Sequence, residues 1–336
     1  MSAVRGILFG GSALMVALMG TSAAAQNTHA LVVVGLGGTE EYRREFHDLA
    51  AGLHDALTGR FGFPTERVTV LSEKPEWAPQ VVRDRSTRDN VVAALGEMAE
   101  SADPGDRILV VLIGHGTARG EEASINLPGP DLSATEFAAA LGAFPTQTVA
   151  LVHTGSASGG FVGPLSGPNR VVITATRTAR ERNATEFPRF FVDALEGDGS
   201  DLDKDGQVSL LEAFQVTRRE VERHYEDENE ILTEHALLDD NGDGEGTGEV
   251  GEDSPDGRLA ATFRLGTASA RVAPETDDPV LARMYEERRQ IQERLDQLRA
   301  VRETMTAERY EEELEAILVE LALKNREIRE REGGGP

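Results

Sequence analysis

Cysteine is absent from all 336 residues. The chain therefore folds without disulfides and has no thiol to serve as nucleophile or metal ligand. Aromatic residues make up only 5% and include one tryptophan. Positive charge is scarce too, with 34 Lys and Arg against 59 Asp and Glu and a formal charge of −25. That balance opposes binding to a nucleic-acid backbone and favours solubility or cation binding. No segment after the N-terminus approaches the ~20 apolar residues that a membrane-spanning helix takes. The N-terminus has a short apolar stretch at 7–19, behind Arg5 and ahead of Thr21-Ser-Ala-Ala-Ala25. This layout predicts a secretory signal peptide over residues 1–25 and an exported protein, periplasmic or secreted, with no membrane attachment after cleavage.

What is present is a regular alternation. Apolar, β-branched runs at 30–34, 68–71, 108–113, 148–152 and 171–174 are separated by helical patterns. Alternation of this kind specifies an α/β fold with a mostly parallel sheet covered on both faces. Residues 41–57 place Phe46, Leu49, Leu53 and Leu57 on one helical face, and 87–98 align Val91, Leu95 and Met98. Ser133-Ala-Thr-Glu136 is a capping box that opens a helix through Leu141. The third run is continuously apolar, which makes it the central strand.

Twelve residues, Asp201-Leu-Asp-Lys-Asp-Gly-Gln-Val-Ser-Leu-Leu-Glu212, match the calcium loop of an EF-hand position by position. Asp201, Asp203 and Asp205 bring three carboxylates to one side of a tight turn that Gly206 permits. Gln207 can offer its backbone carbonyl, Ser209 a bridging water and Glu212 two oxygens. A hard cation that takes six to eight oxygens needs such convergence, which no regular helix or strand supplies. Residues 187–195 and 210–225 form the expected entering and leaving helices. The start of such a loop recurs at Asp239, Asn241 and Asp243, but Val250 stands where the bidentate Glu belongs. This second set is either a weaker calcium site or an acidic turn.

From 239 to 257 the chain is rich in Asp, Glu and Gly and is expected to be flexible unless a metal orders it. Residues 258–265 read as a short strand. Residues 280–332 contain neither Gly nor Pro. Ile291, Leu295, Leu298 and Met305 follow one heptad seam, while Tyr310, Leu314, Ile317, Leu321 and Ile328 follow another out of phase with it. The phase break favours a helical hairpin over an intermolecular coiled coil, the alternative that would make a homo-oligomer. The expected organisation is a signal peptide (1–25), an α/β domain containing the calcium loop (26–238), an acidic segment (239–276) and a C-terminal hairpin or coiled coil (277–332).

Chemistry in open parallel sheets gathers at the carboxyl ends of the strands. The third run ends in Ile113-Gly-His-Gly116, and the fourth in His153-Thr-Gly-Ser-Ala-Ser-Gly-Gly-Phe161. This ordered pair resembles the caspase and legumain superfamily of cysteine peptidases, with Gly114-His-Gly and the following Ile125-Asn-Leu-Pro128 closest to the legumain branch. The resemblance covers residues 28–191 and implies a three-layer α/β/α caspase-like fold. It places His115 as the catalytic imidazole, Gly116 as its partner glycine and Ser156 at the nucleophile's position. The family's thiol is thus an alcohol here, and an alcohol needs an oriented base that a thiol can do without.

Three readings follow: a non-catalytic scaffold that binds calcium and a protein or peptide ligand; a serine peptidase or esterase using Ser156 and His115; and an adaptor that oligomerises through its C-terminal helices. The first is the principal expectation, with calcium as the one cofactor.

Overall fold

A computed structural model of the protein describes residues 27–120, 122–203, 205–251, 253–266, 278–300 and 305–332. The expected signal peptide lies outside them. Five apolar runs become parallel strands: β1 (Thr28–Val34), β2 (Val68–Ser72), and, beyond β3 (Val82–Arg85), β4 (Arg107–Ile113). A small antiparallel sheet intervenes, β5 (Gly116–Arg119), β6 (Glu122–Ile125) and β7 (Leu132–Ser133). The last two parallel strands are β8 (Thr148–His153) and β9 (Arg170–Thr174).

The helices between them are α1 (Glu40–Asp55), α2 (Arg88–Ser101), α3 (Ala134–Leu141) and α4 (Val162–Leu165). After β9 come α5 (Phe187–Glu196), β10 (Val208–Ser209), α6 (Leu210–Asp227) and β11 (Leu237–Asp239). The chain continues through α7 (Arg258–Thr262), β12 (Arg264–Leu265), α8 (Pro279–Ala300) and α9 (Ala307–Glu332).

The main sheet has seven strands in the order β11-β9-β8-β4-β1-β2-β3, and β4 is at its centre. Every neighbouring pair is parallel except β11, which runs antiparallel to β9. Alternating side chains divide the core. Ala30, Val32 and Val34 of β1 join Phe46 and Leu53 of α1, Phe187 and Phe191 of α5 and Phe214 of α6. Leu31 and Val33 join Leu95 of α2 and Phe137 of α3 on the opposite face. The period-two pattern of each strand thus feeds two helical layers, which gives the three-layer α/β/α architecture.

Helix α3 begins with the expected capping box, Ser133 and Glu136 bonding each other's backbone N–H. Helices α8 and α9 form a hairpin around Ile291, Leu295 and Leu321. Its ion pairs, Lys324 with Glu287 at 2.8 Å, Arg294 with Glu320 and Arg331 with Asp278 at 2.6 Å, run antiparallel.

The acidic stretch departs from expectation. It folds back as a hairpin closed by a Leu238–Thr247 bridge, with both hydrogen bonds between those residues made. Its order comes from buried carboxylates: Asp240 accepts from Gly257 N (2.8 Å) and Ala260 N (2.8 Å), and Asp256 accepts from Asp240 N (3.1 Å). The expected strand at 258–265 is helix α7 followed by two strand residues, because the Asp240 carboxylate nucleates that short helix at its N-terminus.

Gly96 lies inside α2, exposed, with nothing within 4 Å of where a Cβ would stand. Gly96→Ala is expected to raise unfolding stability by roughly 0.5–1 kcal/mol, measured by urea denaturation, because alanine loses less backbone freedom on folding.

Candidate metal centre and strand-end site

Helix α5 buries Phe187, Phe191 and Leu195 and descends along one face of the sheet. Its first N–H groups have no local side-chain cap and are bonded from a distance. Glu234 accepts from Glu186 N at 2.7 Å and Phe187 N at 3.1 Å, and also from Tyr225 Oη at 3.1 Å. Burial, outweighing those three donors, pushes the Glu234 carboxyl up to about 7. Helix α6 returns antiparallel to α5, opened by a capping box in which Ser209 Oγ accepts from Glu212 N.

Between the two helices the loop turns on its own side chains. Gly206 N donates to Asp201 Oδ2 (3.0 Å), Asp205 N to Asp203 Oδ1 (3.0 Å) and Gln207 N to Asp205 Oδ1 (2.9 Å). Gly206 has φ +84°, the left-handed backbone that this sharp turn requires. Carboxylate oxygens of Asp201, Asp203 and Asp205 lie within 4.8 Å of one another. Glu212 reaches across the loop, its Oε1 accepting from Leu202 N (2.7 Å) and Asp203 N (3.1 Å) and its Oε2 from Ser209 N (2.8 Å). The Ser209 hydroxyl, expected to hold a water, donates to Glu212 Oε2 at 2.8 Å. Asp205 is 3% exposed. Burial first, and the Asp203 charge second, push its carboxyl up to about 7, against the pull of Arg264. Oxygens gathered at this density fit a hard divalent cation.

Sequence spacing did not reveal what anchors this loop. Val208 of β10 pairs antiparallel with Leu265 of β12, and Arg264 Nε stands 3.5 Å from Asp205 Oδ2. Arg107, the first residue of β4, donates to the carbonyls of Arg264 (3.2 Å) and Thr262 (3.0 Å). The loop is therefore fastened to the amino end of the central strand.

Asp239, Asn241 and Asp243 lie in the acidic hairpin, where no helix follows. Val250, at the twelfth position, offers only its carbonyl, which accepts from Gln215 Nε2 at 2.9 Å.

At the carboxyl ends of β4 and β8 the two turns meet backbone to backbone. Ser156 is 3% exposed. Its Oγ accepts from Gly116 N at 3.2 Å and donates to Gly116 O at 3.2 Å. The His115 ring lies edge-on to Tyr42 (centroids 4.6 Å apart) and Phe46 (5.0 Å), and burial lowers its basicity. Among the described residues no hydrogen bond joins that ring to Ser156 or to a carboxylate. Gly116 and Ser156 are thus brought together, while His115 turns to α1.

His153 is fully buried against Phe161, with Nδ1 accepting from Gly155 N at 3.2 Å and Nε2 bonded to nothing. Burial drives its pKa to about 3, so it is neutral scaffold. Ala157, next to Ser156, holds φ +57°, and its N–H donates to Glu181 O at 2.7 Å.

No protein-family profile matches the chain. A 92-residue stretch is 34% identical to metacaspase-4 of Arabidopsis thaliana, covering 27% of this chain and 21% of that protein, so the chain spans about a fifth of that relative's length. A crystal structure of a Geobacter sulfurreducens protein superimposes with a TM-score of 0.41 at 14% identity, over 71% of this chain and 97% of that one. The partial likeness to a metacaspase agrees with the caspase-like architecture expected from the strand ends.

A Cβ on Gly116 would collide with the Ser156 carbonyl oxygen, which is backbone and cannot rotate away. Gly116→Ala is expected to cost about 2 kcal/mol or more in urea unfolding. His153 yields a pH dependence. The unfolded imidazole takes a proton below pH ~6.5 that the folded one refuses, so its contribution is present above that pH and is lost as pH falls. Between pH 6.5 and 5 the loss is roughly 2 kcal/mol. His153→Asn, which keeps an acceptor for Gly155 N, should flatten the measured stability–pH slope by about one proton.

Proposed function

We propose that the protein is an exported calcium-binding protein in which an EF-hand is built into a caspase-like scaffold that does not hydrolyse peptides. The observation that carries this reading is the convergence of the Asp201, Asp203 and Asp205 oxygens within 4.8 Å, beneath a Glu212 already folded over the loop. Calcium would neutralise a cluster of three carboxylates of which Asp205 is buried and, by binding the folded form alone, stabilise the packing of α5 on α6.

The ion would act on stability rather than on chemistry at the strand ends. The loop is fastened to Arg107 and the peptidase-like turns follow Ile113, at opposite ends of a seven-residue strand. That strand is about 20 Å long at ~3.3 Å per residue. The serine hydrolase alternative has less support, since Ser156 Oγ is spent on the Gly116 backbone and His115 packs on Tyr42 and Phe46. An oriented base behind the nucleophile is what an alcohol requires.

The experiment is thermal unfolding in calcium and in chelator. At a hundredfold excess over Kd, calcium should raise the wild-type midpoint by roughly 5–10 °C. Asp203→Asn keeps the acceptor for Asp205 N and removes one charge, so it should forfeit most of that gain while leaving the midpoint in chelator unchanged or slightly higher. Identical wild-type midpoints in calcium and chelator would overturn the assignment.

A further inference from the structure

Three carboxylates are buried in the acidic hairpin, and they differ in what their oxygens meet. Asp240 accepts Gly257 N on one oxygen and Ala260 N on the other, both at 2.8 Å. Asp256 accepts Asp240 N at 3.1 Å and Thr247 Oγ1 at 2.6 Å. Each of those charges is matched by a donor on each oxygen. Asp239, the last residue of β11 and 1% exposed, is not. Its Oδ1 accepts Gly242 N at 3.2 Å, which turns the carboxylate into the loop, but its Oδ2 is sealed from solvent and accepts no hydrogen bond.

What faces this carboxylate is another oxygen. Ser166, in the turn between α4 and β9, points its hydroxyl at Asp239, and that Oγ is likewise sealed from solvent with no completed hydrogen bond. The two segments are in close contact there. A Cβ on Gly242 would lie 3.2 Å from the Gly167 carbonyl carbon, and one on Gly244 would lie 4.0 Å from Ser166 Cβ. A buried anionic oxygen whose one neighbouring donor is a hydroxyl outside good hydrogen-bond geometry is costly, and a hard cation would satisfy both oxygens at once.

We propose that Asp239 and Ser166, with Asn241 and Asp243 beside them, form a second divalent-cation site that pins the antiparallel edge strand β11 to the α4–β9 turn. This site is not half of a paired EF-hand, because no helix leaves from its twelfth position, Val250, and no bidentate Glu closes it. Its ligands come from a hairpin and from a separate turn of the main domain. Two carboxylates, an amide and a hydroxyl make a weak, calcium-type shell completed by water, in the range of about 10⁻⁴–10⁻³ M seen for extracellular modules.

Bound calcium would be counted by equilibrium dialysis of the full-length mature protein. The set comprises wild type, Asp203→Asn/Asp205→Asn, Asp239→Asn, and all three substitutions together. Each Asn keeps a side-chain acceptor for the loop N–H. The expected counts are two, one, one and none. A wild-type count of one that vanishes in Asp239→Asn would sustain this site and remove the first. If Asp203→Asn/Asp205→Asn and the triple variant bind equal amounts, the second site does not exist.

Melting supplies an independent readout. Asp239→Asn should melt no lower than wild type in chelator, since it deletes an unmatched buried charge, and lower than wild type in millimolar calcium. Equal losses in both would assign Asp239 to scaffold and overturn the proposal. Ser166→Ala tests the same shell from the other segment, with an expected tenfold or greater weakening of the second calcium and an unchanged midpoint in chelator. Unaltered calcium binding in Ser166→Ala would remove the hydroxyl, and with it the bridging site.

Discussion

A carboxylate taken out of water needs a donor or a cation at each oxygen, and in a chain carrying 25 net negative charges that need shapes the ends of the sheet. Several buried acids meet it with backbone N–H groups. Glu234 caps the first turn of α5, Glu212 straps the loop between α5 and α6, and Asp240 starts α7. Glu73 divides itself between Gly37 N and the Arg43 guanidinium. Acid is therefore structural material here, alongside the apolar core. The same requirement picks out Asp239, whose buried Oδ2 is faced, among the described residues, by the Ser166 hydroxyl alone.

The α5–α6 pair shows how these local solutions become a global one. At one end of the sheet its connecting loop is held through β12 to Arg107; at the other, Glu234 and Tyr225 of the returning chain close over the start of α5. Both helices run the height of the sheet between those fastenings, with Phe187, Phe191, Phe214 and Val221 sealing one face of the core. On the proposed reading, an ion at the loop would add to a clamp already fixed at its far end, and its binding free energy would stabilise the packing of α5 on α6.

Much of this architecture was legible in residue order because period and burial coincide. The continuous run at 108–113 is the central strand, and the helical faces of Phe46 and Leu53 and of Val91 and Leu95 pack where their spacing points. Strands with little apolar content were not legible. Val-Arg-Asp-Arg of β3 is an edge strand with three exposed residues, and β11 is two leucines and an aspartate whose pairing with β9 is set by tertiary contact. The fold of the acidic hairpin had no signal in the sequence for a related reason. Composition records that Asp240 and Asp256 are charged but not that each meets a donor at both oxygens, two backbone N–H groups for Asp240 and one N–H and the Thr247 hydroxyl for Asp256. At the candidate metal centre the ligand spacing was visible, whereas Arg264 and Arg107, distant in sequence, had no local signal.

The turns after β4 and β8 are joined through one hydroxyl, that of Ser156. A serine hydroxyl both donates and accepts at hydrogen-bond distance, and Ser156 does both to one residue, Gly116. That closes the gap between the turns after β4 and β8. Glycine at 116 and at 155 lets the two backbones approach so closely that any Cβ would strike a carbonyl oxygen. A thiol is a weak donor and a weak acceptor and would leave the amide of Gly116 poorly satisfied. The alcohol therefore suits a seam better than a nucleophile: it is bonded on both sides, buried, and given no oriented imidazole. Such a turn joins the central strand to β8 as part of the sheet's own stability, and the loop between α5 and α6 contributes at the opposite end of the same strand.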